Sequence, residues 1–178
     1  MKIHRIISQD DDWYKEFHSF YTVSFPIHEQ RNEEQQVEAF ADGRYHLDCY
    51  LEDNRLLAFI AYWDFQTYSY IEHLAVHPDV RGQSIGTKVL SLFINAGFSL
   101  VLLEIDPVID EISAKRFRFY QQLGFVENPY PHYHPAYDKR FDPHHLTVLT
   151  YPRDISEDEY NRFYDDLSTV VMAFKGKR

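Results

Sequence analysis

Residues 81–86 read RGQSIG, which sets a cation and two positions without Cβ at the start of a segment with helical apolar spacing. A turn that only reverses the chain needs one good turn residue. Arg81, Gly82 and Gly86 offer more, because unpaired N–H groups at a helix start, the positive end of its dipole and a guanidinium together suit a phosphate or pyrophosphate. Glycines at strand-to-helix turns also serve sterics alone, so the stretch takes its meaning from the elements around it.

Those elements follow from periodicity. YHLDCYLE, the turn Asp53-Asn54 and RLLAFIAYWDF form a hairpin, and YSYIEHLAV adds a third strand leading into the turn. Beyond it, Ile85, Val89, Phe93 and Ala96 mark one face of a helix closed by Gly97, and FSLVLLEI is a buried strand. Strand, crossover helix and strand make a βαβ unit with parallel strands, so the sheet is mixed. Upstream lie a short strand, KIHRII, and a helix carrying Trp13, Phe17, Phe20, Tyr21 and Phe25 that Pro26 stops. A second helix, capped by Asn32, is expected to turn Val37 and Phe40 inward.

Residues 112–123 form another helix, with Ile112, Phe119 and Leu123 on one side and Gly124 as its stop. A connection rich in Pro, His and Tyr, NPYPHYHPAYDKRFDP, precedes a last strand, HHLTVLTYP. Ser156 and Glu159 then open an amphipathic helix, expected to pack on its own sheet rather than at a dimer interface. The fold class is α/β (α+β), a central mixed, mostly antiparallel twisted sheet flanked by helices, in one domain spanning residues 1–178.

Acidic residues number 28 against 18 Lys plus Arg, a net charge of -10 that leaves no long footprint for nucleic acid and favours cationic or amine-bearing partners. No apolar run approaches the ~20 residues of a membrane helix. Cys49 is the single cysteine, so no internal disulfide forms, and a reducing cytoplasm is the expected setting.

Two motifs in this order resemble the GNAT superfamily of N-acetyltransferases. Its turn pattern is Arg or Gln, two residues, Gly, one residue, then Gly or Ala, and Arg81, Ser84 and Gly86 stand in those places. RFYQQLGF, residues 118–125, resembles the family's helix-strand junction, with Tyr120 in the Tyr place. Ser84 departs from the usual Gly; its Cβ restricts the backbone, while its hydroxyl can satisfy a donor or bind a phosphate oxygen itself. DPVIDEISAKR also lacks the Asn often found before the Tyr-bearing helix.

The resemblance implies acetyl-CoA as co-substrate, no metal, and direct transfer in a ternary complex to a small-molecule or protein amine, by a monomer or homodimer. It implies cofactor contacts from Leu74, Ala75 and Val76, whose backbone meets the pantetheine, and from Arg81, Gly82, Gln83, Ser84, Ile85 and Gly86. Glu72 is the expected base, or else a strand carboxylate satisfied by an Arg; Tyr120 is the expected acid for the leaving thiolate. Strand alternation puts His73 opposite Glu72, which leaves it the alternative base. Glu104, His73 and Tyr133 are the expected acceptor contacts. His132, His134, His144 and His145 lack a Cys or evident carboxylate to complete a zinc set, and are read as lining the acceptor pocket. A non-catalytic acyl-CoA-binding module is the competing reading. It would bind the thioester without releasing thiol.

Overall fold

The computed structural model describes residues 1–175. Strand β1 (Lys2–Ile6) leads through α1 (Tyr14–Ser24), a 3₁₀ turn (Ile27–Glu29) and α2 (Glu33–Ala41) to the meander β2 (Tyr45–Glu52), β3 (Arg55–Asp64) and β4 (Ser69–Val76). Next come α3 (Ile85–Ile94), β5 (Val101–Ile105), α4 (Glu111–Gln122), β6 (Val126–Glu127), the small ladder β7 (Tyr133–His134) and β8 (His144–His145), then β9 (Thr147–Tyr151) and α5 (Glu157–Asp166). The main sheet has the order β1-β2-β3-β4-β5-β9-β6, and only β4 and β5 pair in parallel. This is the mixed, mostly antiparallel sheet that the crossover predicts.

β3 is buried along most of its length because helices cover both sheet faces. Phe59, Ala61 and Trp63 enter one core with residues of α1, α2 and α5, whereas Ala58, Ile60 and Tyr62 enter another with residues of α3 and α4. Tyr160 and Phe163 join the first of these cores, so α5 packs on its own sheet. Asp53 and Asn54 both have positive φ, as a two-residue hairpin turn matching strand twist requires.

Two apolar expectations fail locally. Val37 is exposed, and the inner face of α2 carries Gln35 and Gln36 instead. The groups waiting there are polar: the Gln35 amide donates to the Tyr137 carbonyl at 2.7 Å, and that of Gln36 to the Tyr45 hydroxyl at 3.1 Å. Ile112 is likewise exposed, at the rim of a cleft rather than in the core.

That cleft follows from the sheet. β4 and β5 pair only at Ser69–Val101 and Tyr70–Leu102 and then part, leaving an opening of about 750 Å³ between their C-terminal halves. Ligands of open sheets collect at such a break, where backbone groups lose their ladder partners.

Candidate active site

His77 donates its N–H to the Leu57 carbonyl, so the antiparallel register makes Ala75 a hydrogen-bonded partner of Phe59. By alternation, the backbone groups of Leu74 and Val76 point away from β3, into the opening. Of the three residues expected to meet pantetheine, these two turn their backbone groups into the cleft, the Val76 carbonyl already accepting from Arg81. Arg81 folds back to place Nε 3.3 Å from the Val76 carbonyl.

The turn beyond β4 reaches α3 through two left-handed residues, Gly82 and Ser84. Ser84 takes φ 59 at the N-cap, and its hydroxyl makes no capping bond. Lys88 is the first residue to bond back, to the Ser84 carbonyl, so the N–H groups of Ile85, Gly86 and Thr87 emerge from the helix start without a partner among the described residues. A Cβ at Gly86 would reach van der Waals contact with Phe119 of α4 and Val76, each at 3.4 Å, which leaves room for little more than a methyl group. Arg81 and Lys115 bring positive charge to the cleft, while Arg116 pairs with Asp106 and Arg118 turns outward to Glu111.

The catalytic end is rearranged by a bulge. Ala61 pairs with His73 while Tyr62 pairs with Ile71, which leaves Glu72 as an extra residue in β4. A bulge breaks alternation, so Glu72 and His73 face the same side, with His73 Nδ1 3.5 Å from Glu72 Oε2. The expectation of opposite faces is thereby corrected.

The Glu72 side chain is fully buried and surrounded by donors. Arg31 grips it bidentately, Nε to Oε2 at 2.8 Å and Nη2 to Oε1 at 3.0 Å; Trp63 Nε1 donates to Oε1 and the Tyr137 hydroxyl to Oε2, each at 2.8 Å. Burial alone would raise its pKa, but the Arg31 charge, with His73 and the hydrogen bonds, holds it at about 2. A carboxylate so engaged has no lone pair left for a substrate proton. The structure therefore corrects the expectation of Glu72 as base and supports the alternative of an Arg-satisfied strand carboxylate.

Glu104 is occupied too. The Tyr70 hydroxyl and His132 Nε2 donate to its two oxygens, and His132 Nδ1 lies 2.8 Å from the Tyr160 hydroxyl. Burial acts to raise its pKa, and the nearby His134 and His132 more than offset that, leaving it below the usual carboxylate range.

His73 is arranged differently. Its Nε2 lies 2.8 Å from the Glu29 carbonyl, which can only accept, so the ring proton sits there and Nδ1 keeps its lone pair. Burial pushes the imidazole pKa down against the pull of Glu72, so the ring is neutral near pH 7. Tyr120, between the phosphate end and these groups, is buried, lines the cleft and has no hydroxyl partner among the described residues. Burial lifts its pKa to about 12, which keeps the phenol protonated.

A parted β4–β5 pair, a free edge on β4, an open helix start and a buried tyrosine reproduce the arrangement behind both sequence motifs. The model of the Acetyltransferase (GNAT) family matches residues 11–125. The chain belongs to the GNAT acetyltransferase family. The Bacillus subtilis (strain 168) protein YjbC is 29% identical over 116 residues, covering 64% of this chain; the match spans 56% of YjbC, little more than half its length. A GNAT-family structure from Bacteroides thetaiotaomicron is 27% identical, covers 98% of this chain and 100% of its own, and superposes with a TM-score of 0.90. A GNAT acetyltransferase from Elizabethkingia anophelis with acetyl-CoA bound, 15% identical over 84% of this chain and 95% of its own, shares the fold at a TM-score of 0.55.

Within this GNAT chain some expected site residues gather and others do not. Glu72, His73, Glu104, Tyr120, Arg81 and the Leu74–Val76 edge all line the cleft. Tyr133 does not; it is exposed and stacks on His145, ring centroids 5.0 Å apart, because the β7–β8 ladder turns both outward. His134 and His144 line the cleft, while His132 lies behind it against Glu104. Arg31 and Tyr137 escape sequence reasoning. They lie 41 and 65 residues from Glu72, and no local spacing ties them to it.

Proposed function

We propose that this chain transfers acetyl from acetyl-CoA to a primary amine, directly, within a ternary complex. The observation that carries the reading is the parting of β4 from β5, which frees the backbone edges of Leu74 and Val76 beside the open start of α3. Pantetheine extends along that edge as an added strand, and the pyrophosphate meets the N–H groups of Ile85, Gly86 and Thr87 near Arg81. The acceptor enters past Glu29, Asp106 and Asp142, an acidic mouth suited to a cationic amine.

His73 replaces Glu72 as the proposed base. It takes the ammonium proton at Nδ1, directly or through water, and Glu72 favours the imidazolium that forms. The free amine attacks the thioester carbonyl, and the tetrahedral intermediate collapses by breaking the carbon–sulfur bond while its nitrogen gives up its extra proton to water, leaving the neutral amide. The thiolate then takes the Tyr120 proton. Cys49, buried and pushed up to about 12 by burial, takes no part, and a lone inert thiol suits the cytoplasm.

Thiol release from acetyl-CoA, followed across a panel of polyamines, aminoglycosides, amino acids and N-terminal peptides, tests this. Turnover with at least one cationic amine is expected. Tight acetyl-CoA binding with no turnover across the panel would favour the binding module instead.

A further inference from the structure

Strand β8 brings one histidine against the turn after α1, at the acidic mouth of the cleft. His144 on β8 meets the 3₁₀ turn after α1: its Nδ1 lies 3.4 Å from Glu29 Oε1, and His28 Nε2 lies 3.9 Å from the same oxygen. Ligand atoms of all three residues fall within 4.8 Å of one another. Donors around tetrahedral zinc, at bond lengths of about 2.0–2.2 Å, stand roughly 3.4 Å apart. The spacing needs only a small contraction to match.

The far side of the imidazole decides its orientation. Asp106 Oδ1 lies 3.1 Å from His144 Nε2, while Asp106 Oδ2 accepts from Arg116 at 3.2 Å. A carboxylate held by a guanidinium accepts Nε2–H, which in the neutral ring leaves the Nδ1 lone pair facing the Glu29 carboxylate. A ring nitrogen and a carboxylate oxygen so placed offer a cation two donors at once. A carboxylate behind a histidine ligand is how metal sites fix the ligating nitrogen.

We propose that His28, Glu29 and His144 form a zinc site, with Asp106 orienting His144 and the fourth coordination position open to the cleft. The ion ties the β7–β8 ladder to the turn after α1, joining two walls of the cleft at its acidic end. His132 and His134 lie against Glu104 and His145 stacks on Tyr133, so none of the three joins the site. The site shares Glu29 and Asp106 with the acidic mouth proposed for the acceptor, but its test is independent of that reading, because binding is measured without acetyl-CoA or acceptor.

The test is calorimetric titration of metal-stripped full-length protein with zinc chloride, with cobalt(II) as a spectroscopic substitute. Wild type should bind one equivalent and give the strong visible absorption of a tetrahedral cobalt site. The double variant His28→Ala, His144→Ala should lose that equivalent, and Asp106→Asn should weaken it about 10- to 100-fold. His145→Ala should bind as wild type does, and circular dichroism would establish that each variant is folded. Absence of stoichiometric binding in wild type, or equal affinity in the double variant or in Asp106→Asn, overturns the site.

Discussion

His73 and Glu72 are neighbours in sequence and also on one side of the sheet, their nearest polar atoms 3.5 Å apart. The β4 bulge makes this possible, and it separates two tasks that a regular strand would have set on opposite faces. Arg31, Trp63 and Tyr137 use up the Glu72 carboxylate, which is why His73 is the group proposed to exchange protons.

Replacing His73 with Gln should therefore lower turnover by about 10²- to 10⁴-fold while acetyl-CoA affinity is kept. Burial depresses the His73 pKa below 6.5, so wild-type turnover should lose this base only as pH falls below that value. Turnover against pH, measured with an amine found in the screen, should show that acidic limb in wild type and not in the variant. An unchanged limb in His73→Gln places the base elsewhere.

Glu72→Gln should act mainly on stability. It leaves the buried Arg31 guanidinium without its counter-charge, at a cost of about 3–5 kcal/mol. The folded pKa of about 2 lies below the ordinary 4.5, so the wild-type contribution is fully present above pH 4.5 and is lost as pH falls toward 2. Urea denaturation at neutral and acidic pH should show this loss in wild type and a flatter dependence in Glu72→Gln. Equal stability of the two proteins at neutral pH would count against the role given to the pair.

Tyr120→Phe removes the one hydroxyl proposed to reach the leaving sulfur. Turnover should fall by about 10²-fold, with no recovery at high pH, since the phenol acts after the amine is already free. Acetyl-CoA affinity should stay near wild type because the ring still packs between Phe119 and Phe125. Wild-type turnover would make the residue a packing group only.

Ser84 tests the turn. At φ 59 a β-branched side chain is strained by about 1–2 kcal/mol, so Ser84→Val should lower the denaturation midpoint and weaken acetyl-CoA binding together. Ser84→Gly should keep both, because backbone N–H groups rather than the hydroxyl are left to meet the phosphates. Calorimetry and thermal denaturation on the two variants decide it. A loss of affinity in Ser84→Gly would give the hydroxyl a direct part.

Local sequence was enough wherever short-range physics decides. Alternation over residues 45–76 set the meander, the Asn32, Asp53-Asn54 and Ser156–Glu159 signals set caps and a turn, and each of the two motifs contributes a residue, Arg81 and Tyr120, to one cleft. The parallel β4–β5 pair followed from the length of the crossover, which allows no other common arrangement. What sequence could not decide is which buried groups meet. A single extra residue in β4 reversed the side on which Glu72 was expected to face His73, and bulges carry no reliable composition signal. Arg31 reaches Glu72 from the segment before α2, and Tyr137 reaches it from the connection before β8. Charge pairing and proton position depend on distance and dielectric in space, so the change of Glu72 from expected base to buried partner belongs to the tertiary structure alone.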